Sequence, residues 1–181
     1  MPTNRDKSFL GRISFLFALS TIFNILWLVL GHYEFLAPSV ILMFGLLATL
    51  IAIYLRLDIG KGHVSVTERI AVHVPFTVYL GWITIASIAN VAVELTAVEW
   101  DTGGIDLVSW AALMIAVALL IALVVIAKRK DVAYGLVIVW ALGGIMMNQM
   151  ETQEIFLFTG VGITIVLVAF GVITIVSRLK Q

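Results

Sequence analysis

Six stretches of the chain, Ile13 to Gly31, Phe35 to Leu55, Ile70 to Val93, Leu107 to Ala127, Val132 to Met150 and Ile155 to Ser177, contain no Asp, Glu, Lys or Arg. Each approaches or exceeds the ~20 apolar residues with which a helix crosses a hydrocarbon core about 30 Å thick. Within that core every backbone N–H and C=O has to be paired inside the protein, so only helices and closed barrels can span it. Barrel strands would show as short segments of alternating polarity, which these runs are not. The expected fold class is therefore all-α, a polytopic transmembrane bundle of six helices. Composition agrees: 62% of residues are hydrophobic and 12% charged, and the mean hydropathy of +1.13 lies outside the range of soluble domains. No segment between the runs is long enough to build a core of its own, so residues 1–181 are expected to form a single transmembrane domain. The first run is longer than the apolar part of a signal peptide and no small-residue cleavage site follows it, so it is read as retained.

The cations determine the expected orientation. If the amino terminus is cytoplasmic and the chain makes six crossings, all the basic residues fall on the inside. They are Arg5, Lys7 and Arg12, then Arg56, Lys61 and Arg69, then Lys128, Arg129 and Lys130, and finally Arg178 and Lys180. The opposite loops carry Glu34, Glu94, Glu99, Asp101, Asp106, Glu151 and Glu154, so a formal net charge of zero conceals a strong asymmetry. This is the positive-inside pattern, with both termini cytoplasmic. Lys128 to Lys130 is read as a topology anchor, because clusters that bind lipid headgroups usually hold more cations, and no nucleic-acid partner is expected. The pattern, without a targeting peptide, suits a prokaryotic inner membrane.

Several chemistries lack the residues they need. Cysteine is absent, which excludes disulfides, thiolate metal sites and cysteine nucleophiles. There is no phosphate loop, zinc-protease motif or nucleophile elbow. Pumps and proton-coupled carriers usually keep an ionisable group at membrane depth, and the runs offer only His73. It is read as hydrogen-bonded structure near a helix end, while His32 and His63 fall in loops on opposite sides, so neither a metal site nor catalysis is expected. Pro38 fits the first turn of the second helix, whereas Pro75 should bend the third or release the carbonyl of Ala71. Trp100 and Trp110 are expected at headgroup depth. Gly143, Gly144, Gly160, Gly162 and Gly171 are expected to let helices approach closely.

The remaining polar and aromatic residues form two stripes. In the third run Pro75, Tyr79, Trp82, Ala86 and Asn90 recur at helical spacing along one face, and in the first run Ser20, Asn24, Trp27 and Gly31 do the same. At a rise of about 1.5 Å per residue, Asn24 and Trp82 lie roughly 16 and 18 Å beyond their entry points. Two level stripes, each with an indole and a carboxamide, can line a pocket for a flat apolar ligand with a few polar edges. On pattern alone the alternative is favoured, in which they hydrogen-bond across packed helices with Ala86 giving close approach.

The segment "YLGWITIASIAN", Tyr79 to Asn90, resembles the fifth-helix signature of the TspO/MBR family, the tryptophan-rich sensory and translocator proteins, which reads approximately P-Y-x-x-W-x-x-[FI]-A-x-x-x-N. The W-x3-A-x3-N core matches at Trp82, Ala86 and Asn90, and "NILW" at Asn24 to Trp27 is similar to the N-x-x-W of the family's third helix. The likeness covers residues 13–95, with the helices of 107–177 as additions of the kind found in long prokaryotic members. The family's first two helices have no counterpart before Ile13, and its proline falls where Val78 stands, with Pro75 nearly a turn earlier. The resemblance implies binding of a tetrapyrrole or sterol-like ligand, with sensory, regulatory or transport consequences. It implies Trp82 and Ala86 as ligand contacts, with Tyr79 on the same face, and Asn24, Trp27 and Asn90 as pocket or helix-packing residues. Three further readings stay open: a non-binding scaffold or permease-type subunit whose glycine-rich last two helices meet a membrane partner, a homo-oligomer, and an enzyme acting on a bound tetrapyrrole. In the cysteine-free chain, Gly103→Cys is expected to react with an impermeant thiol reagent only from outside the cell; labelling only from the cytoplasm would reverse the orientation.

Overall fold

The computed structural model describes residues 8–62, 64–101 and 103–179, so Arg5, Lys7, His63 and Lys180 lie outside the described residues. All regular structure among the described residues is helical. The chain divides into two compact units, Met1–Val98 and Glu99–Gln181.

The first unit contains α1 (Ser8–His32), α2 (Leu36–Arg56), the single turn α3 (Val66–Glu68), a π turn (Arg69–His73) and α4 (Val74–Ala97). α2 lies in the middle and packs against both α1 and α4. Its buried residues show why: Ser39, Met43, Leu46, Leu50 and Ile53 follow one face at spacings of three and four, and Thr49 and Tyr54 widen that stripe. Phe23 of α1 lies over Gly45 of α2, where an added Cβ would come within 2.9 Å of the ring. α1 ends in a Schellman-type turn, with Glu34 left-handed (φ 61) and the Phe35 N–H donating to the Leu30 carbonyl at 2.9 Å.

The helix that begins at Val66 is capped by Ser65, whose Oγ accepts the Glu68 N–H at 3.2 Å. Its departure from α geometry falls in the turn before Pro75. The Val74 N–H donates to the Arg69 carbonyl, five residues back, which makes the turn a π turn. Pro75 has no N–H for the carbonyl of Ala71, and its ring would crowd that carbonyl in a regular helix; a wide turn around Ala71 relieves both problems. The bend expected from the sequence thus takes the form of one widened turn, and the apolar helix runs on through it from Val66 to Ala97.

The second unit is a three-helix group, α5 (Leu107–Arg129), α6 (Val132–Asn148) and α7 (Gln153–Leu179), in which each helix packs on the other two. Ile115, Ala118, Ala122 and Ile126 of α5 are buried in this group, as are Tyr134, Val137, Ile138 and Leu142 of α6 and Ile155, Thr159, Gly162 and Val166 of α7. Asp106 caps α5: one carboxylate oxygen accepts the Val108 and Ser109 N–H groups at 3.0 Å and the other accepts the Ser109 hydroxyl at 2.6 Å. Asp131 caps α6 by accepting the Tyr134 N–H at 3.2 Å. The link between α5 and α6 is tight, with Lys130 left-handed (φ 54) at the C-cap.

Two expectations are revised. Among the described residues five helices are long and apolar enough to cross a membrane, whereas α6 is a shorter apolar helix that stops at Asn148 before a turn. Its 17 residues extend about 25 Å at the standard rise, less than a typical hydrocarbon core. Glycine-mediated packing is also placed differently. Gly162 does meet a neighbouring helix, with a Leu119 methyl 3.0 Å from an added Cβ, but Gly143, Gly144, Gly160 and Gly171 meet nothing within 4 Å among the described residues. The close approach occurs at Gly135, which is covered by the Phe170 ring and the Ile126 methyl. A glycine count indicates where backbones are able to meet; which of them do so depends on helix rotation, which composition does not carry.

Gly135→Ala is expected to destabilise the protein by roughly 1–3 kcal/mol through overpacking. Gly143→Ala should be neutral or stabilising by up to about 1 kcal/mol through helix propensity. Thermal unfolding in detergent compares the two. At α5, the hydrogen bonds from Ser109 hold the Asp106 carboxyl below its ordinary range. A lowered folded value means that the cap stabilises above the unfolded pKa and is lost as pH falls through the folded one. Amide exchange at Val108 and Ser109, corrected for intrinsic rates, should therefore rise on acidification in the native protein and change little in Asp106→Asn.

Candidate functional site

α4 has two unlike faces. The side turned inward carries Thr77, Leu80, Gly81, Ile83, Thr84 and Ser87, all buried, and begins at the buried His73 of the π turn. Small and hydroxyl-bearing side chains predominate there, and α2 buries Ser39, which meets α4 at Asn90, as well as Thr49. These hydroxyls are burial-compatible because they give their protons to their own helices. Thr84 donates to the Leu80 carbonyl at 2.8 Å and Ser87 to the Ile83 carbonyl at 2.7 Å. On α2, Ser39 donates to Leu36 and Thr49 to Leu46, both at 2.7 Å. The result is a close seam between two helices in which polar atoms are satisfied without water.

The stripe of Pro75, Tyr79, Trp82, Ala86 and Asn90 lies on the other side of α4, roughly 140° around the helix from the buried face at 3.6 residues per turn. Tyr79 and Ala86 are half-buried and Trp82 is 45% exposed. A large flat side chain in mid-helix is thereby turned away from α2, with Tyr79 and the small Ala86 beside it on successive turns. Asn90, at the edge of the stripe, behaves differently: its Nδ2 donates to Ser39 Oγ of α2 at 3.4 Å.

On α1 the corresponding stripe is turned toward α2. Ile13 and Ser20 are buried, Asn24 and Trp27 are half-buried, and most of the remaining surface is exposed. The Ser20 hydroxyl donates to the Phe17 carbonyl at 2.8 Å. Asn24 and Trp27 thus share one face of α1, and Tyr79, Trp82 and Ala86 share one face of α4. The two sets do not share a face: α2 packs on both helices, with the α1 stripe turned toward it and the α4 stripe turned away from it. Toward the other end of this unit, Phe17 of α1 meets Phe76 of α4 edge to face with ring centroids 6.1 Å apart.

The buried hydroxyl seam and Ser39 are the features that the stripe pattern passes over. Their signal is present, since Thr77, Gly81, Thr84 and Ser87 recur at spacings of four, three and three, but a stripe of small residues attracts less notice than one holding Trp and Asn. In the second unit a shallow open groove runs along α7 beside Phe156, Leu157, Gly160, Val161, Thr164 and Ile165. It lies on a single helix and carries no charged group. Trp100 and Trp110 meet at 5.2 Å between ring centroids next to the Asp106 cap. Among the described residues no cluster of three His, Asp or Glu is arranged to hold a metal ion.

With this geometry in place, comparison with known proteins gives one result. The family model described as TSPO-like protein matches residues 1–174. The match extends well beyond the 13–95 segment that carries the recognisable motifs and takes in α5, α6 and most of α7. No curated protein and no solved structure matches the chain.

Proposed function

The chain belongs to the TSPO-like protein family, and we propose that this integral membrane protein binds a flat hydrophobic ligand of the tetrapyrrole or sterol type for sensing, regulation or transport. The observation that carries the reading is Trp82, 45% exposed on α4 and turned away from the helix's packed face. An indole offers a broad flat apolar surface, which suits a polycyclic ligand with few polar groups. Ala86, one turn on, leaves room for the body of such a ligand, and the Tyr79 hydroxyl is available to its polar edge. Asn24 and Trp27 of α1, which face α2, are assigned to helix packing, and Asn90 to the outer end of the site.

Orientation follows from the distribution of charge. Arg56, Lys61 and Arg69 occupy the connection between α2 and α4, and Lys128 to Lys130 the link between α5 and α6. Glu34, Glu99, Asp101, Asp106 and Glu151 lie in the alternate connections. We assign the basic connections and both termini to the cytoplasm of a prokaryotic inner membrane, with α6 as a short sixth crossing. A second reading, a scaffold or permease-type subunit, is favoured by the open surroundings of Gly143, Gly144, Gly160 and Gly171. Purification with a stable membrane partner and no retained ligand would support it.

Titration with protoporphyrin or a sterol, followed by tryptophan fluorescence, tests the leading reading. Trp82→Ala and Ala86→Leu should each weaken binding about tenfold, the equivalent of losing ~1.4 kcal/mol. Native affinity in both variants would remove the site from α4.

A further inference from the structure

We infer that Ser39 and Asn90 form a positioning pair that sets the register of α4 on α2 and so places Trp82, rather than Asn90 serving as a ligand contact. The inference rests on the ligand-binding reading and reassigns one of its residues. Ser39 stands near the start of α2 and Asn90 near the end of α4. Their hydrogen bond, Asn90 Nδ2 to Ser39 Oγ at 3.4 Å, links the first turn of one helix to the last third of the other, as in an antiparallel pair. Trp82 lies eight residues before Asn90, about 12 Å along the axis.

The chemistry of the pair is directional. Ser39 is 1% exposed, and its single hydroxyl proton goes to the Leu36 carbonyl at 2.7 Å. What Ser39 offers to α4 is therefore an acceptor, and the carboxamide NH2 of Asn90 is a donor that fits it. The rest of the seam adds fit by shape. Leu80 and Ile83 are buried on the same face, Gly81 has no side chain, and the Ser87 hydroxyl proton is given to α4's own backbone. Surfaces of this kind favour close approach. The Asn90 bond adds a directional contact between the two helices, and it holds the exposed stripe at a set height and rotation.

The test uses protoporphyrin titration of the full chain, with thermal unfolding in detergent to confirm that each variant is folded at the assay temperature. Ser39→Ala and Asn90→Ala should each weaken binding about fivefold, the scale of one interhelical hydrogen bond in a membrane. The double variant should bind no more weakly than either single one, because both remove the same bond. Ser39→Thr, which keeps the hydroxyl, should bind like the native protein, whereas Ser39→Val, of the same shape without it, should bind like Ser39→Ala. Additive losses, native binding in both single variants, or equal binding by the Thr and Val variants would overturn the inference. If the native protein fails to bind protoporphyrin or a sterol, the ligand-binding reading falls and this inference falls with it; failure confined to the variants overturns this inference alone.

Discussion

In a hydrocarbon core no water is available to complete a hydrogen bond, and the organisation of this protein follows from that constraint. Each apolar run closes its backbone bonds within a helix. Where a helix cannot do so, the chain changes geometry instead of leaving a group open: before Pro75 the turn widens to a π turn, and at the starts of α5 and α6 aspartates take up the free N–H groups. Buried hydroxyls obey the same rule by bonding to the preceding turn, which leaves α2 and α4 free to meet over small side chains.

That close seam gives α4 its two unlike faces. The small and hydroxyl-bearing residues are consumed in packing on α2, so the bulky aromatic stripe is turned away from it. A helix that buried Trp82 against α2 would instead require a cavity there and would leave Thr77, Thr84 and Ser87 facing outward. The division of labour is energetic in origin. In lipid, where apolar contacts between helices gain no hydrophobic energy, close approach and satisfied polar groups decide which face packs. The larger residues remain for whatever the protein meets beyond that interface.

Much of this was legible from residues alone. α2 and α5 follow their uncharged runs to within two residues, and α1 and α7 contain theirs and extend past them, because crossing a membrane imposes both a length and a composition. Tyr79, Trp82 and Ala86 were identifiable as one face because a helix has a fixed period. Family membership was visible in the Trp82, Ala86, Asn90 spacing, although the family match extends far past those motifs. The length of α6 was less legible. The run Val132 to Met150 is uninterrupted in polarity, yet the helix ends at Asn148, since termination depends on local turn geometry more than on hydropathy. The glycines were misleading for a related reason: Gly135 is covered by Phe170 while Gly143 and Gly144 are open, and all three look alike in a hydropathy profile.

By itself, then, the sequence determined the fold class, the apolar segments and which residues share a face, because these depend on solvent chemistry and helical periodicity, both local properties. Only the tertiary structure decided which face of α4 packs on α2, that Asn90 meets Ser39, and which glycine lies beneath an aromatic ring. Those outcomes depend on the rotation and sliding of one helix against another, and such quantities are set by the summed fit of side chains on both partners.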